Sequence, residues 1–461
     1  MHDAMTHRPV ALPVLAVCLG AAAGVLSPPL MAQTQPSGLV QATRVAQVKA
    51  DPLPPMPVVK LADSRPQGLS LSQVLDAVAA TYPVLVAART EARAAAQDVQ
   101  ATERLRWPSV SATVESDTGN LRSSPNRAVQ VDQTVWDAGR NTSRISEAKV
   151  LAEISVAKVY LQQQEVFLQV ANAWQAMVSA KERLAVAQST LLRLRKFQAQ
   201  MLRRVQAEAS PVIDLELVDS RILQTEVEAT AAKTSLQQAV MRLQQFSGMD
   251  DLLGASTHAV YPKGWIDTED FQRQLNQTDW QQLVSLHPSV AKARHEVNQV
   301  KHRLDTKQAE AYPQLYLRVY KPLNRLPNNP DTSTTAFLGF RYTPGAGFAN
   351  LVEAQAMSTR ILSSEQAVEA SFRETLQALQ NEQEEFTNTR SRLQSLEKSV
   401  AGAEKVLDSY QRQFQAGRKS WLDLLNAVRE LAQNQYALAD TRAAMVAAMY
   451  RLQIRSGQDL P

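Results

Sequence analysis

Few residues in this chain have the type and spacing that covalent chemistry needs. His295 and Glu296 open the pattern of a helical zinc hydrolase, in which two histidines four residues apart share a metal and the glutamate acts as base. The place of the second histidine is taken by Gln299, so the pattern is incomplete. His295 and His302 are two helical turns apart, roughly 10 Å, and cannot share one ion. There is no glycine-rich phosphate loop and no Gly-x-Ser-x-Gly elbow. The 6 histidines are scattered or lie near the N-terminus. No enzyme, cofactor or metal centre is expected. The polar residues that stand out are instead Asp214 and Asp423, each just past a break where a long helical pattern turns back. A carboxylate in the first turn of a helix is stabilised there by about 0.3–1 kcal/mol.

Charge adds little. There are 49 Lys and Arg against 45 Asp and Glu, and no basic cluster with interleaved aromatic residues, so nucleic acid is not an expected partner. The N-terminus says more. Arg8 precedes an apolar run from Val10 to Leu26, and Ser27-Pro28-Pro29-Leu30-Met31-Ala32 follows. Residues 1–32 read as a secretory signal peptide with its cut after Ala32. The single cysteine, Cys18, lies inside this segment. Leu15-Ala16-Val17-Cys18 resembles a lipoprotein cleavage box, but Val17 is bulky where a small residue is wanted. The mature chain then has no cysteine, in keeping with an oxidising compartment. Residues 33–69, with six prolines and few large apolar side chains, read as an extended linker.

The elements that must position Asp214 and Asp423 are long. From Gly139 to Pro211 there is no intervening glycine or proline, and Val156, Tyr160, Phe167, Val170, Trp174, Met177, Leu184 and Leu191 recur three, four or seven residues apart. This is one face of a helix near a 3.5-residue repeat, the seam of a coiled coil. A helix over 139–206 would be about 100 Å long. A second rod, over 348–414, carries Phe372, Leu376, Leu379, Phe386, Leu393, Leu396, Val400, Leu407, Tyr410 and Phe414 in the same spacing. Only 15 glycines and long runs of Ala, Gln, Leu, Glu and Arg agree with a mainly α chain.

A small β part accompanies the rods. A helix over 70–104 stops at Trp107-Pro108. Val110, Ala112 and Val114 then alternate with Ser109, Ser111 and Thr113, and after the polar loop 117–127 a second strand alternates through Val129, Val131 and Val135. The plan then recurs. Tyr82-Pro83 matches His287-Pro288 and Trp107-Pro108 matches Tyr312-Pro313 at an offset of 205; Val205-Gln206-Ala207 matches Phe414-Gln415-Ala416 and Asp214-Leu215 matches Asp423-Leu424 at 209. The first repeat is 70–248, with hairpin 107–136, long helix 139–206 and helix 212–247. An irregular connection, 249–280, leads to the second repeat, 281–457: a helix, hairpin 314–343, long helix 348–414 and helix 420–456. In each repeat two helices of about 35 residues, end to end, match one rod, so antiparallel packing would cover its stripe. Strands of about ten residues with one apolar face suit a tilted crossing of a bilayer. Four of them cannot close a barrel, and an open edge in lipid leaves backbone groups unpaired. In a membrane, several chains must share one barrel; otherwise the strands form a sheet at the end of a soluble coiled-coil body.

This plan resembles the TolC-like outer-membrane factor (outer membrane efflux protein) family of Gram-negative bacteria. The resemblance covers residues 70–457 and rests on the duplication, on Trp136-Asp137-Ala138-Gly139-Arg140 with its counterpart Pro344-Gly345-Ala346-Gly347, and on Phe414-Gln415-Ala416-Gly417-Arg418-Lys419-Ser420-Trp421-Leu422-Asp423-Leu424-Leu425. The last motif is most similar to the branch serving type I secretion and adhesin export. The resemblance implies a homotrimer, a twelve-stranded barrel in the lipid of the outer membrane, and a helical α-barrel tunnel in the periplasm. It implies a periplasmic adaptor (membrane fusion protein) and an inner-membrane ABC transporter, or an RND pump, as partners. The turns at 206–211 and 415–420 would form the inner tip, with Ala207, Ser210, Gly417, Arg418 and Ser420 at the adaptor, and loops 117–127 and 321–334 would face outside. By motif, Asp423 falls at an entrance constriction, and Asn426 stands where a second aspartate often occurs. Asp214 holds the matching place in the first repeat, Lys419 is a candidate to pair with it, and Phe414 lies where a tyrosine is common. Helix-end stabilisation remains the other reading of both aspartates. The implied function is a passive conduit of a tripartite export system, most specifically for a large secreted protein such as an adhesin. Small-molecule drug efflux is the alternative, and a periplasmic coiled-coil adaptor is a distant one.

Overall fold

The computed structural model describes residues 70–115, 126–249, 268–323, 333–343 and 349–457. The signal peptide, its cut, Cys18, the proline-rich linker, most of both hairpin loops and the 344–347 turn lie outside them. Helices α1 (Leu71–Thr81) and α2 (Pro83–Glu103) lead through one 3-10 turn to strands β1 (Ser109–Glu115) and β2 (Asn126–Trp136). Two helices follow, α3 (Arg140–Gln206) and α4 (Val212–Ser247). Then come α5 (Thr268–Gln277), α6 (Trp280–Ser285), α7 (Pro288–Ala309), β3 (Gln314–Pro322), β4 (Thr335–Arg341), α8 (Ala349–Gln415) and α9 (Trp421–Ser456). The chain is thus mainly helical with a small antiparallel sheet.

The rods α3 and α8 each have 67 residues, about 100 Å of helix. Along α3 pack α2 and α4 from its own half and α7 and α9 from the other, while α7 and α9 line α8. The apolar stripe read in the sequence is the seam: Phe167, Val170, Trp174 and Met177 are buried with Val74 and Val78 of α1, Val240, Leu243 and Phe246 of α4, and Val446, Met449 and Tyr450 of α9. Phe386 of α8 joins this mid-length core, its ring edge-on to Phe271 at 4.9 Å.

Two expectations need correction. The helix expected over 70–104 is broken: the chain turns by 48° at Tyr82. Pro83 sits in the first turn of α2, where its missing N–H costs nothing, and forces Tyr82 into an extended conformation. His287-Pro288 makes the same break between α6 and α7. The connection expected to be irregular over 249–280 contains α5, whose Phe271 and Leu275 are buried. Those two apolar residues, four apart in a polar segment, were the only helical signal there.

The sheet runs in the order β1-β2-β3-β4, all antiparallel, with β1 and β4 as open edges. Residues paired across an antiparallel ladder share a face. One face holds Val110 and Val114, Val131, Leu317 and Val319, Leu338 and Phe340, with Gln133 among them and Arg127 and Lys321 toward the hairpin loops; the other holds Ser109 and Ser111, Gln130 and Asp132, Tyr316, Arg318 and Tyr320, and Thr335 and Arg341, with Phe337 beside Arg318. The apolar face is bare: Val110 is 70% exposed and Phe340 75%. Among the described residues no single helix is long and apolar enough to cross a membrane.

The candidate entrance at the helical tips

Both rods end in turns of one construction. At the end of α3, the amide of Ala207 donates to the Arg203 carbonyl, Glu208 to Val205 and Ala209 to Arg204. At the end of α8, Ala416 donates to Arg412, Gly417 to Phe414 and Arg418 to Gln413. Each pairing recurs 209 residues on. The third turn residue is left-handed in both, with φ 56° at Glu208 and 72° at Gly417. Glycine adopts this freely, and the glutamate holds it at a cost of about 1 kcal/mol.

The helices leaving the two turns start differently. Ser420 caps α9: its hydroxyl accepts from the Asp423 amide at 3.1 Å and donates to Asp423 Oδ2 at 2.8 Å, while the Ser420 amide donates to the same carboxylate at 3.3 Å. These bonds from Ser420, with Lys419 nearby, hold the Asp423 carboxyl below the usual carboxylate range. Pro211 stands in the capping position of α4 and offers no side-chain bond. Asp214 lies in the first turn of that helix, and its carbonyl accepts from Trp421 Nε1 at 2.8 Å. That indole, buried against Phe197 and Phe414, ties the start of α9 to the start of α4.

Lys419 does not reach across to Asp214 within the chain. Its ammonium lies 3.8 Å from Asp423 and 4.4 Å from the centre of the Tyr410 ring, because the first turn of α9 brings residues four apart together. Phe414 has no hydroxyl to offer, and the guanidinium of Arg204 lies over its ring at 4.8 Å and also donates to Ser210 at 3.2 Å. Asn426 is half-exposed one turn past Asp423; Ala207, Gly417, Arg418 and Ser420 are exposed. Sequence reasoning gave no role to Trp421 or Arg204. The tryptophan stood in the quoted motif as a signal, but the Arg204 contact joins residues some two hundred positions apart and left none.

The arrangement is a polar tip without a nucleophile–base pair. The zinc-like histidines are spent separately, His295 lying 2.9 Å from Glu153 and His302 3.5 Å from Asp305.

Compared by sequence with curated proteins, the chain matches none. Residues 280–458 match the family model of the outer membrane efflux proteins. Among solved structures, CusC, in a study of transmembrane channel formation, superposes with a TM-score of 0.71 at 15% identity, covering 87% of this chain and 97% of CusC. The outer membrane protein VceC of Vibrio cholerae gives 0.70 at 14% identity over 85% and 97%. The open state of the Neisseria gonorrhoeae MtrE outer membrane channel gives 0.68 at 15% identity over 85% and 89%. At these identities the solved structures speak for the fold alone. The second repeat thus matches the outer membrane efflux protein family, whose members are channels of the outer membrane and not enzymes, and the chain is similar in fold to these solved channels over some 85% of its length.

Proposed function

We propose that three copies of this chain form one conduit, each giving four strands to a shared barrel in the outer membrane and its helices to a tunnel in the periplasm. The observation that carries this is the sheet. It has two unpaired edges, one bare apolar face and one polar face. In lipid the edges must be paired by neighbours, which leaves the polar face inside. In this reading the chain is two repeats, 70–248 and 281–457, and the tips at 206–211 and 415–420 point inward to a periplasmic adaptor and an inner-membrane transporter. Asp423 and Asn426 line the entrance, with Asp214, Lys419 and Phe414 beside it, and Ala207, Ser210, Gly417, Arg418 and Ser420 meet the adaptor. The cargo is a large secreted protein delivered by an ABC transporter, as the tip motif Phe414–Leu425 suggests. A small-molecule cargo from an RND pump is the second reading, favoured by the efflux family to which residues 280–458 match.

A detergent extract of the outer-membrane fraction tests the assembly: a heat-modifiable trimer is expected, and a soluble periplasmic monomer would overturn it. Deleting the gene then separates the cargoes. Loss of a giant surface protein supports secretion, and loss of drug tolerance supports efflux.

A further inference from the structure

The polar face of the sheet carries a cluster that the tip does not explain. In one row of the ladder Asp132 faces Arg318, which faces Phe337; the next row down holds Thr134, Tyr316 and Gly339; the row below pairs Gln314 with Arg341. Arg318 grips Asp132 with both Nε and Nη2, and Gln130 donates to the same carboxylate. The negative charge is therefore occupied. Tyr316 lies between the two arginines, with Arg318 5.1 Å and Arg341 4.9 Å from its ring centre. The ring is fixed in place by what is missing opposite it: a Cβ on Gly339 would stand 2.7 Å from the Tyr316 ring and hydroxyl. Arg341 is exposed and, among the described residues, its guanidinium has the Tyr316 ring as contact and no carboxylate within ion-pair distance, although its charge is felt at Asp132, which Arg318 holds. The three rows thus hold two fixed cations against one anion.

We propose that these rows form an anion-selecting band inside the barrel, with Arg341 of each chain meeting the passing ion. This rests on the reading that the polar face lines a pore. A guanidinium braced on an aromatic face at a narrow ring of like charges attracts small anions and repels cations, as in pores that select by rings of side-chain charge. Asp132 serves to orient Arg318, and Tyr316 with Gly339 keeps Arg341 from folding away. Arg341 lies at the last residue of β4, on the side of the sheet that joins the helices.

The test uses the full-length protein reconstituted in a planar lipid bilayer under a potassium chloride gradient. The background is Asp423→Asn, so that the tip carboxylate does not mask the barrel. Arg341→Gln should shift the reversal potential toward that of potassium, and Arg341→Lys, which keeps the charge, should leave it in place. An unchanged reversal potential in Arg341→Gln overturns the proposal while the pore stands. A parent protein that conducts nothing overturns the pore and the band together. If Arg341→Gln does not fold, inorganic pyrophosphate on the parent channel decides. A lowered single-channel current supports the band, and an unaffected current counts against it.

Discussion

At the scale of single residues, the two tips amount to a natural comparison of one backbone with two occupants. Gly417 and Glu208 sit in the same left-handed position of equivalent turns, and a Cβ on Gly417 would meet nothing within 4 Å. Any penalty for a side chain there is conformational and not steric. Gly417→Ala should therefore lower stability by about 1 kcal/mol, and Glu208→Gly should raise it by a similar amount or less. Denaturant unfolding of the detergent-solubilised protein reads both, and equal effects of one sign would mean that contacts, not the backbone, set the turn. His287 makes a second residue-scale case. It is buried at the break before α7, where Nδ1 accepts from the Ser289 amide at 3.2 Å and Nε2 donates to the Arg455 carbonyl at 3.1 Å. Burial pushes its pKa below the usual 6.5. A histidine kept neutral by folding takes up more protons unfolded than folded, so stability is full above pH 6.5 and falls as pH drops below it. The unfolding midpoint should decline through that window in the parent, and less steeply in His287→Gln.

At the scale of elements, the link between the two halves at the tip is concentrated in Trp421. Its indole N–H satisfies the Asp214 carbonyl, and its ring is 4% exposed among Phe197, Phe414 and the leucines of the tip cluster. Trp421→Phe removes the hydrogen bond but keeps a buried aromatic ring, and should cost about 1 kcal/mol. Trp421→Ala removes both and should cost about 3–5 kcal/mol. If both variants cost the same, the hydrogen bond carries the link and the burial does not. The elements also show what a sequence can disclose. The seam of α3 was legible because one apolar period runs unbroken over Phe167, Trp174 and Met177, with the left-handed Gly139 at its start; its end at Gln206 comes ahead of Pro211, which opens α4. The faces of the strands were legible from Val110, Ala112 and Val114, since alternation alone sorts them. The break at Tyr82 was visible as a proline but was outweighed by the helical pattern on both sides. The partners of the tip residues were hidden, because Arg204 on Phe414 and Trp421 on Asp214 are contacts between distant parts of the chain. No local period encodes them.

At the scale of the whole molecule, the sheet sets the problem that assembly must solve. The strand order β1-β2-β3-β4 alternates in direction, so β4 of one chain can meet β1 of the next antiparallel, and an even number of strands keeps that relation all the way round. The polar residues Ser111 on β1 and Thr335 on β4 stand on the same face, so cysteines scanned outward from these two positions probe the joint from inside the pore. A pair in register would bring the two α-carbons within about 4.4–6.8 Å, the span a disulfide tolerates. The expected outcome is a ladder of covalent dimers and trimers on non-reducing gels for at least one spacing of the pair. The single cysteine of the natural sequence lies in the segment read as a signal peptide, so the mature chain would contribute no background. Monomers at every spacing, from protein that is folded and in the membrane, would mean that the edges are closed by something other than a second copy. Each edge strand exposes large apolar side chains on the opposite face, Val110 and Val114 on β1 and Leu338 and Phe340 on β4. A joint between copies makes those side chains one apolar band continuous with Leu317 of β3, the surface that lipid requires.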